Sequence, residues 1–211
     1  MRITYNAPVV LTYAIVCAVI KALDLFTGGT LISAFFAVPG SGHFDWTEWT
    51  NYFRLFSYVF GHVDWLHLAG NFYLILLIGP ILEEKYGSGR LLVMMIITTL
   101  VTGLLNAFLF PEGLTGASGI AFMLILLTPF TSTKPGEIPL TFILIAALYL
   151  SQELLSATRQ DSISQFAHIA GGITGSVFGF LGLSGRSGTG ASTPQAKTAK
   201  TAEDWLRELD S

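Results

Sequence analysis

The chain has 211 residues, 52% of them hydrophobic and only 12% charged, with a mean hydropathy of +0.61 and a net charge of -3. A soluble domain carries about twice that charged fraction, and several near-continuous apolar runs exclude a solvated surface around them, so this is a polytopic, all-α membrane protein. The small net charge argues against a nucleic-acid partner, and a lone cysteine, Cys17, within an apolar run excludes a disulfide framework or a cysteine metal site.

The first span is expected over about Val9 to Phe26. It is long enough to cross the bilayer, so Ala34 and Ala37 read as loop residues rather than a signal-peptide cleavage site. Lys21 and Asp24, at its far end, are expected to snorkel to the interface. Gly28 to Phe53 is too broken by glycine, proline and charge to span. Its aromatics (Phe35, Phe36, Phe44, Trp46, Trp49, Tyr52 and Phe53) suit a loop lying in the headgroup region.

The second span covers about Asp64 to Leu82, closed by Glu83, Glu84 and Lys85; the third, about Leu91 to Phe110, follows the Gly87-Ser88-Gly89-Arg90 turn. The fourth opens at Ser118 and is stopped near Pro129; the fifth runs about Ile138 to Leu155 and the sixth about Gln165 to Leu183. Residues 1–183 therefore read as one six-helix membrane domain. Ser184 to Thr201 has the Gly/Ser/Thr/Ala composition of a disordered tail, and Trp205, Leu206 and Leu209 form a short amphipathic end.

Six spans put both termini on one side. With the N-terminus inside, the cytoplasmic segments hold Arg2, Lys85, Arg90, Lys134, Arg186, Lys197, Lys200 and Arg207, against Lys21, Arg54 and Arg159 outside. The positive-inside rule thus predicts cytoplasmic termini. A fourth helix from Ser118 to near Pro129 is roughly 18 Å long, so within a hydrocarbon core of about 30 Å its start lies about 10 Å below the outer surface. An irregular turn at that depth is tolerated only where protein buries it or a water-filled cavity meets it.

Gly116-Ala117-Ser118-Gly119 therefore carries the interest. A serine among small residues at a helix start suits a nucleophile, though it equally suits a helix N-cap. Two further polar clusters begin helices on the same side. His67 and Asn71, four apart, share one face of the second helix; His168 leads the sixth, where Gly171, Gly175 and Gly179 form a stripe open to a neighbouring backbone. If that neighbour is the fourth helix, His168 comes within reach of Ser118. Neutral His168 would take the serine proton and return it to the leaving amine. The Ser118 N–H, Asn71 and His67 are candidate donors to the oxyanion. No carboxylate is placed to orient His168, so the pair would be a dyad, with Phe122 holding the imidazole by packing.

His168 taken alone would equally fit a proton relay or an interhelical hydrogen bond. His62 reads as structural or interfacial. His62, Asp64 and His67 could suggest a metal, but no H-E-x-x-H is present, and neither metal nor cofactor is expected.

Taken together, these residues resemble those of the rhomboid intramembrane serine proteases, across all six expected helices. The resemblance is carried by Arg54, by His62, His67 and Asn71, and by Glu84 with Gly87. Gly116-Ala117-Ser118-Gly119 and Ala167-His168 with Gly171 and Gly175 complete it. It implies a bacterial-type six-helix bundle with a short fourth helix, a Ser118–His168 dyad and oxyanion stabilisation by His67 and Asn71. Gly116, Gly119, Phe122, Gly171 and Gly175 would support the site, and Arg54, His62 and Glu84 would be structural. The implied substrates are transmembrane proteins, cut at small residues near the outer boundary of the cell (inner) membrane. Two positions depart from the family pattern: Phe53-Arg54 stands for Trp-Arg, and Phe122 for a tyrosine. Neither removes a reacting group. Two other classes compete. A silent rhomboid-like chaperone would typically lack the serine or histidine, and a channel or transporter would have a second broken helix pairing with the fourth. Nothing in the sequence sets the oligomeric state.

Overall fold

The computed structural model describes residues 3–134, 137–157 and 162–181. The tail expected from Ser184, and the domain boundary before it, lie outside the described residues. Six helices take the places of the six spans: α1 Pro8–Phe26, α4 Trp65–Tyr86, α5 Ser88–Leu109, α6 Ser118–Leu127, α7 Leu140–Ala157 and α8 Ser162–Phe180. Two more, α2 Thr30–Phe35 and α3 Trp49–Ser57, lie within and just after the first loop. Among the described residues α1, α4 and α5 are long and apolar enough to cross a membrane unaided. Their outward faces carry exposed Val19, Leu23, Leu77, Ile81, Leu92 and Val93, as a chain solvated by lipid requires.

The short helix is the centre of the bundle. α6 is ten residues long and apolar all round, and Ile120, Ala121, Met123, Leu124 and Leu127 are almost wholly buried. A helix with no polar face has to be surrounded by protein. A 3-10 turn, Thr128–Ser132, takes over where Pro129 can no longer donate a helical hydrogen bond. The hydroxyls of Thr98 and Thr99 on α5 donate to the carbonyls of Met94 and Met95 on their own helix, at 2.8 Å each. Polar side chains on an apolar helix are thereby satisfied locally.

The most extensive helix contact is α6 against α8. A Cβ built on Gly171 would lie 2.0 Å from the Gly119 carbonyl oxygen, and one on Gly175 2.3 Å from that of Met123. The two backbones touch along this stripe, a closeness that only glycine permits.

Two expectations need correcting. Lys21 and Asp24 do not snorkel. They are 6% and 3% exposed and form an ion pair at 3.1 Å, with Asp24 also accepting from the Ile32 N–H and Lys21 donating to the Val63 carbonyl. The folded loop gives both charges polar partners in the protein, so neither has to reach water. The second concerns Glu84, which is exposed at the end of α4. Its neighbour Glu83 does the structural work, accepting from the Val9 and Val10 N–H groups at 2.9 and 3.0 Å and from the Ser88 hydroxyl at 2.7 Å. It thus caps the otherwise unpaired first turn of α1 from another helix. Glu83→Ala should orphan two N–H donors and destabilise the chain by about 2–4 kcal/mol, whereas Glu84→Ala should change stability by less than about 0.5 kcal/mol. Melting temperatures of both variants in one detergent check this.

Candidate active site

α4 begins at Asp64, whose extended backbone and side chain form an N-cap: its carboxylate accepts from the His67 N–H at 2.7 Å. That cap fixes the first turn, from which His67 and, one turn on, Asn71 point to the start of α6. Gly116 lies beneath them with φ +119°, a conformation side chains rarely adopt. A Cβ there would approach His67 Cε1 to 2.8 Å and Asn71 Nδ2 to 3.8 Å. The imidazole and the amide therefore sit directly over the turn that leads into Ser118. Asn71 is 7% exposed and its Nδ2 has no hydrogen-bond partner.

The turn itself is held by backbone pairing with the first loop. Val38 and Leu114 exchange N–H···O bonds of 2.9 Å, the Thr115 hydroxyl donates to the Phe36 carbonyl at 2.7 Å, and the Gly116 N–H donates to that of Tyr58 at 3.0 Å. Ser118 follows as the first residue of α6. Phe122, one turn deeper, stacks on the His168 ring with centroids 4.2 Å apart and planes at 36°. His168 does not open its helix as expected, because α8 starts at Ser162. It lies six residues in, about 9 Å along the axis. α8 can pass the short α6 at its start because Gly119 and Gly171 let the two axes close up beside the serine.

Ser118, His168, Phe122, His67 and Asn71 line one cavity of about 620 Å³. His62, Arg54 and Glu84, expected as structural residues, are not part of its lining. His62 is fully buried behind His67, ring edge to face at 5.3 Å and 71°. Burial, helped by His67, pushes the His62 pKa down to about 4, so the ring is neutral. Arg54 works in the loop: its Nε donates to the Ala34 carbonyl at 2.8 Å and its Nη1 to Asn51 at 2.9 Å, tying α3 to the end of α2. Glu84 lies at the opposite end of α4. Thr115 was not singled out from the sequence; its partners are carbonyls of the distant first loop, which leave no signature in a pattern of side chains. Among the described residues no group of three His, Cys, Asp or Glu side chains could hold a metal.

This arrangement has the parts of an acyl-transfer site: a hydroxyl at a helix start, an imidazole held by stacking, and side-chain N–H donors facing the same space. A family model described as Rhomboid domain matches residues 50–185. The chain is 24% identical over 177 residues to Rhomboid protease GlpG of Yersinia pestis (strain Pestoides F) and, to the same extent, to that of Yersinia pseudotuberculosis serotype O:3 (strain YPIII). Those matches cover 82% of this chain and 62% of each relative, so the chain spans less than two thirds of the length of these curated relatives.

Proposed function

The chain belongs to the rhomboid family, and from that premise we propose that it is an intramembrane serine endopeptidase using Ser118 as nucleophile and His168 as base. The observation that carries this reading is the convergence of Ser118, His168, His67 and Asn71 on one cavity. In the proposed cycle the Ser118 hydroxyl attacks a peptide carbonyl while His168 accepts its proton. The tetrahedral oxyanion is met by the Ser118 N–H, the Asn71 Nδ2 donor and His67. His168 then protonates the leaving amine, and water hydrolyses the acyl-enzyme by the reverse proton route. Phe122 stacks on the imidazole and restricts its rotation.

The substrates proposed are transmembrane segments cut near the outer boundary of a bacterial inner membrane, with both termini of this chain cytoplasmic. The basic residues gathered on one side support that orientation. Six helices through residue 183, followed by a cytoplasmic tail, are the domain plan that goes with it. A mechanism-based reagent tests the reading without mutants. A fluorophosphonate should label the purified protein at one residue, Ser118, identified by mass spectrometry, with concurrent loss of cleavage of a single-pass substrate. Labelling elsewhere, or cleavage that survives complete labelling, would sink it.

A further inference from the structure

Three buried polar groups lie behind the site and take no part in the proposed chemistry: Lys21, Asp24 and His62. Lys21 and Asp24 come from α1, which contributes nothing to the cavity around Ser118. They line a second cavity of about 510 Å³, which shares Val63 and Thr115 with the first.

The contacts form a chain. Ile32 N–H donates to Asp24 Oδ1 at 3.0 Å, fixing the carboxylate against the first loop. Asp24 Oδ2 pairs with Lys21 Nζ at 3.1 Å, and Lys21 Nζ donates to the Val63 carbonyl at 2.9 Å. Val63 lies between His62, whose ring meets His67, and Asp64, whose carboxylate holds the His67 N–H. The His62 ring makes only a weak contact with the Phe60 backbone, whereas the Lys21 ammonium donates a full hydrogen bond to the next carbonyl from behind.

We infer that Lys21 is a positioning residue: anchored by Asp24, it holds the Val63 carbonyl and so sets where α4 presents His67 over Gly116. A buried ion pair is weak evidence for stability, since two charges taken from water repay little of their desolvation. Its use here is geometric. The inference rests on the serine-protease reading for its kinetic arm only.

The informative variant is Lys21→Met with Asp24→Asn. It leaves no unpaired buried charge, and Asn can still accept from Ile32 N–H, so folding is retained. Val63 then loses its donor. Ser33→Ala, in the lining of the same cavity with its hydroxyl donating to the Thr30 carbonyl, leaves Lys21 and Asp24 in place and is the control. In the double variant kcat on a membrane-segment substrate should fall at least about tenfold with KM and melting temperature little changed, the pattern of a lost transition-state contact. Ser33→Ala should stay close to wild type. In full-length protein carrying ring-labelled histidine, the His67 resonance should shift in the double variant and not in Ser33→Ala. Wild-type kcat with an unmoved His67 resonance would overturn the inference, as would losses in both variants that simply follow melting temperature. A wild-type protein without protease activity would refute the functional reading instead, and the His67 resonance would then decide the positioning role by itself.

Discussion

Ser118→Ala and His168→Ala should each abolish cleavage of a membrane-segment substrate while the protein stays folded and inserted. The two groups are proposed to act as one unit: without the base the hydroxyl keeps its proton, and without the hydroxyl the base has nothing to activate. Removing either member of such a unit from a serine hydrolase can cost about a millionfold in kcat, and removing both costs no more. The double variant should therefore be indistinguishable from either single one. Ser118→Ala deletes one oxygen and disturbs little. His168→Ala also empties the space stacked on Phe122, so a loss of activity there could reflect repacking. His168→Phe separates the two effects, because it restores a ring over Phe122 and still lacks the nitrogen. Restored activity in His168→Phe, or wild-type cleavage in Ser118→Ala, would refute the dyad.

Gly171→Ala should remove most activity and stability together, although it touches no reacting atom. The added methyl carbon would lie 2.0 Å from the Gly119 carbonyl oxygen, and 2.7 Å and 2.8 Å from the same residue's carbonyl carbon and Cα. Backbone atoms cannot swing aside as a side chain can, so the two helices must separate. Overpacking of this kind costs about 1–3 kcal/mol, and a misplacement of about 1 Å between reacting groups costs roughly a hundredfold in rate. Gly119 follows Ser118, and Gly171 lies one turn from His168, so separation at this point acts directly on the proposed dyad. Gly175→Ala meets the Met123 backbone at 2.3 Å and should behave similarly. At Gly179 the obstacle is the Phe130 side chain and not backbone, so Gly179→Ala should be milder. Gly89→Ala enters open space and should leave both quantities near wild type. Cleavage rate and melting temperature for the four variants test the order; equal behaviour of Gly171→Ala and Gly89→Ala would show that this stripe does not govern the site.

The sequence carried the parts of this fold that are encoded locally. Apolar runs marked the spans, Pro129 marked the end of α6, and a four-residue glycine spacing marked the face of α8 that meets another backbone. Local pattern fails where a partner is remote. Glu83 and Glu84 are adjacent and chemically alike, yet about 100° apart around the helix, and only the packing of α1 selects Glu83. Lys21 and Asp24 lie at a helix end, where snorkelling is the ordinary outcome. They turn inward because Ile32 and the Val63 carbonyl are brought to them by a folded loop. The helices α2 and α3 were hidden by glycine, proline and charge that read as loop, although α3 carries an amphipathic helical pattern that could have marked it. The candidate site was more legible than the loop because it draws on residue types that are expensive in a bilayer, such as His67, Asn71 and His168.

The Glu83 cap on α1 also has a consequence for the order of events at the ribosome. Val9 and Val10 are separated from their acceptor by 74 and 73 residues of chain. At about 5–20 residues per second the ribosome needs roughly 4–15 s to cross that interval. α1 thus spends seconds without its final cap. Its two leading amides gain their acceptor only after α4 has been made and packs against it. That cap is complete once α4 has been made, while α6 and α8 are still to come.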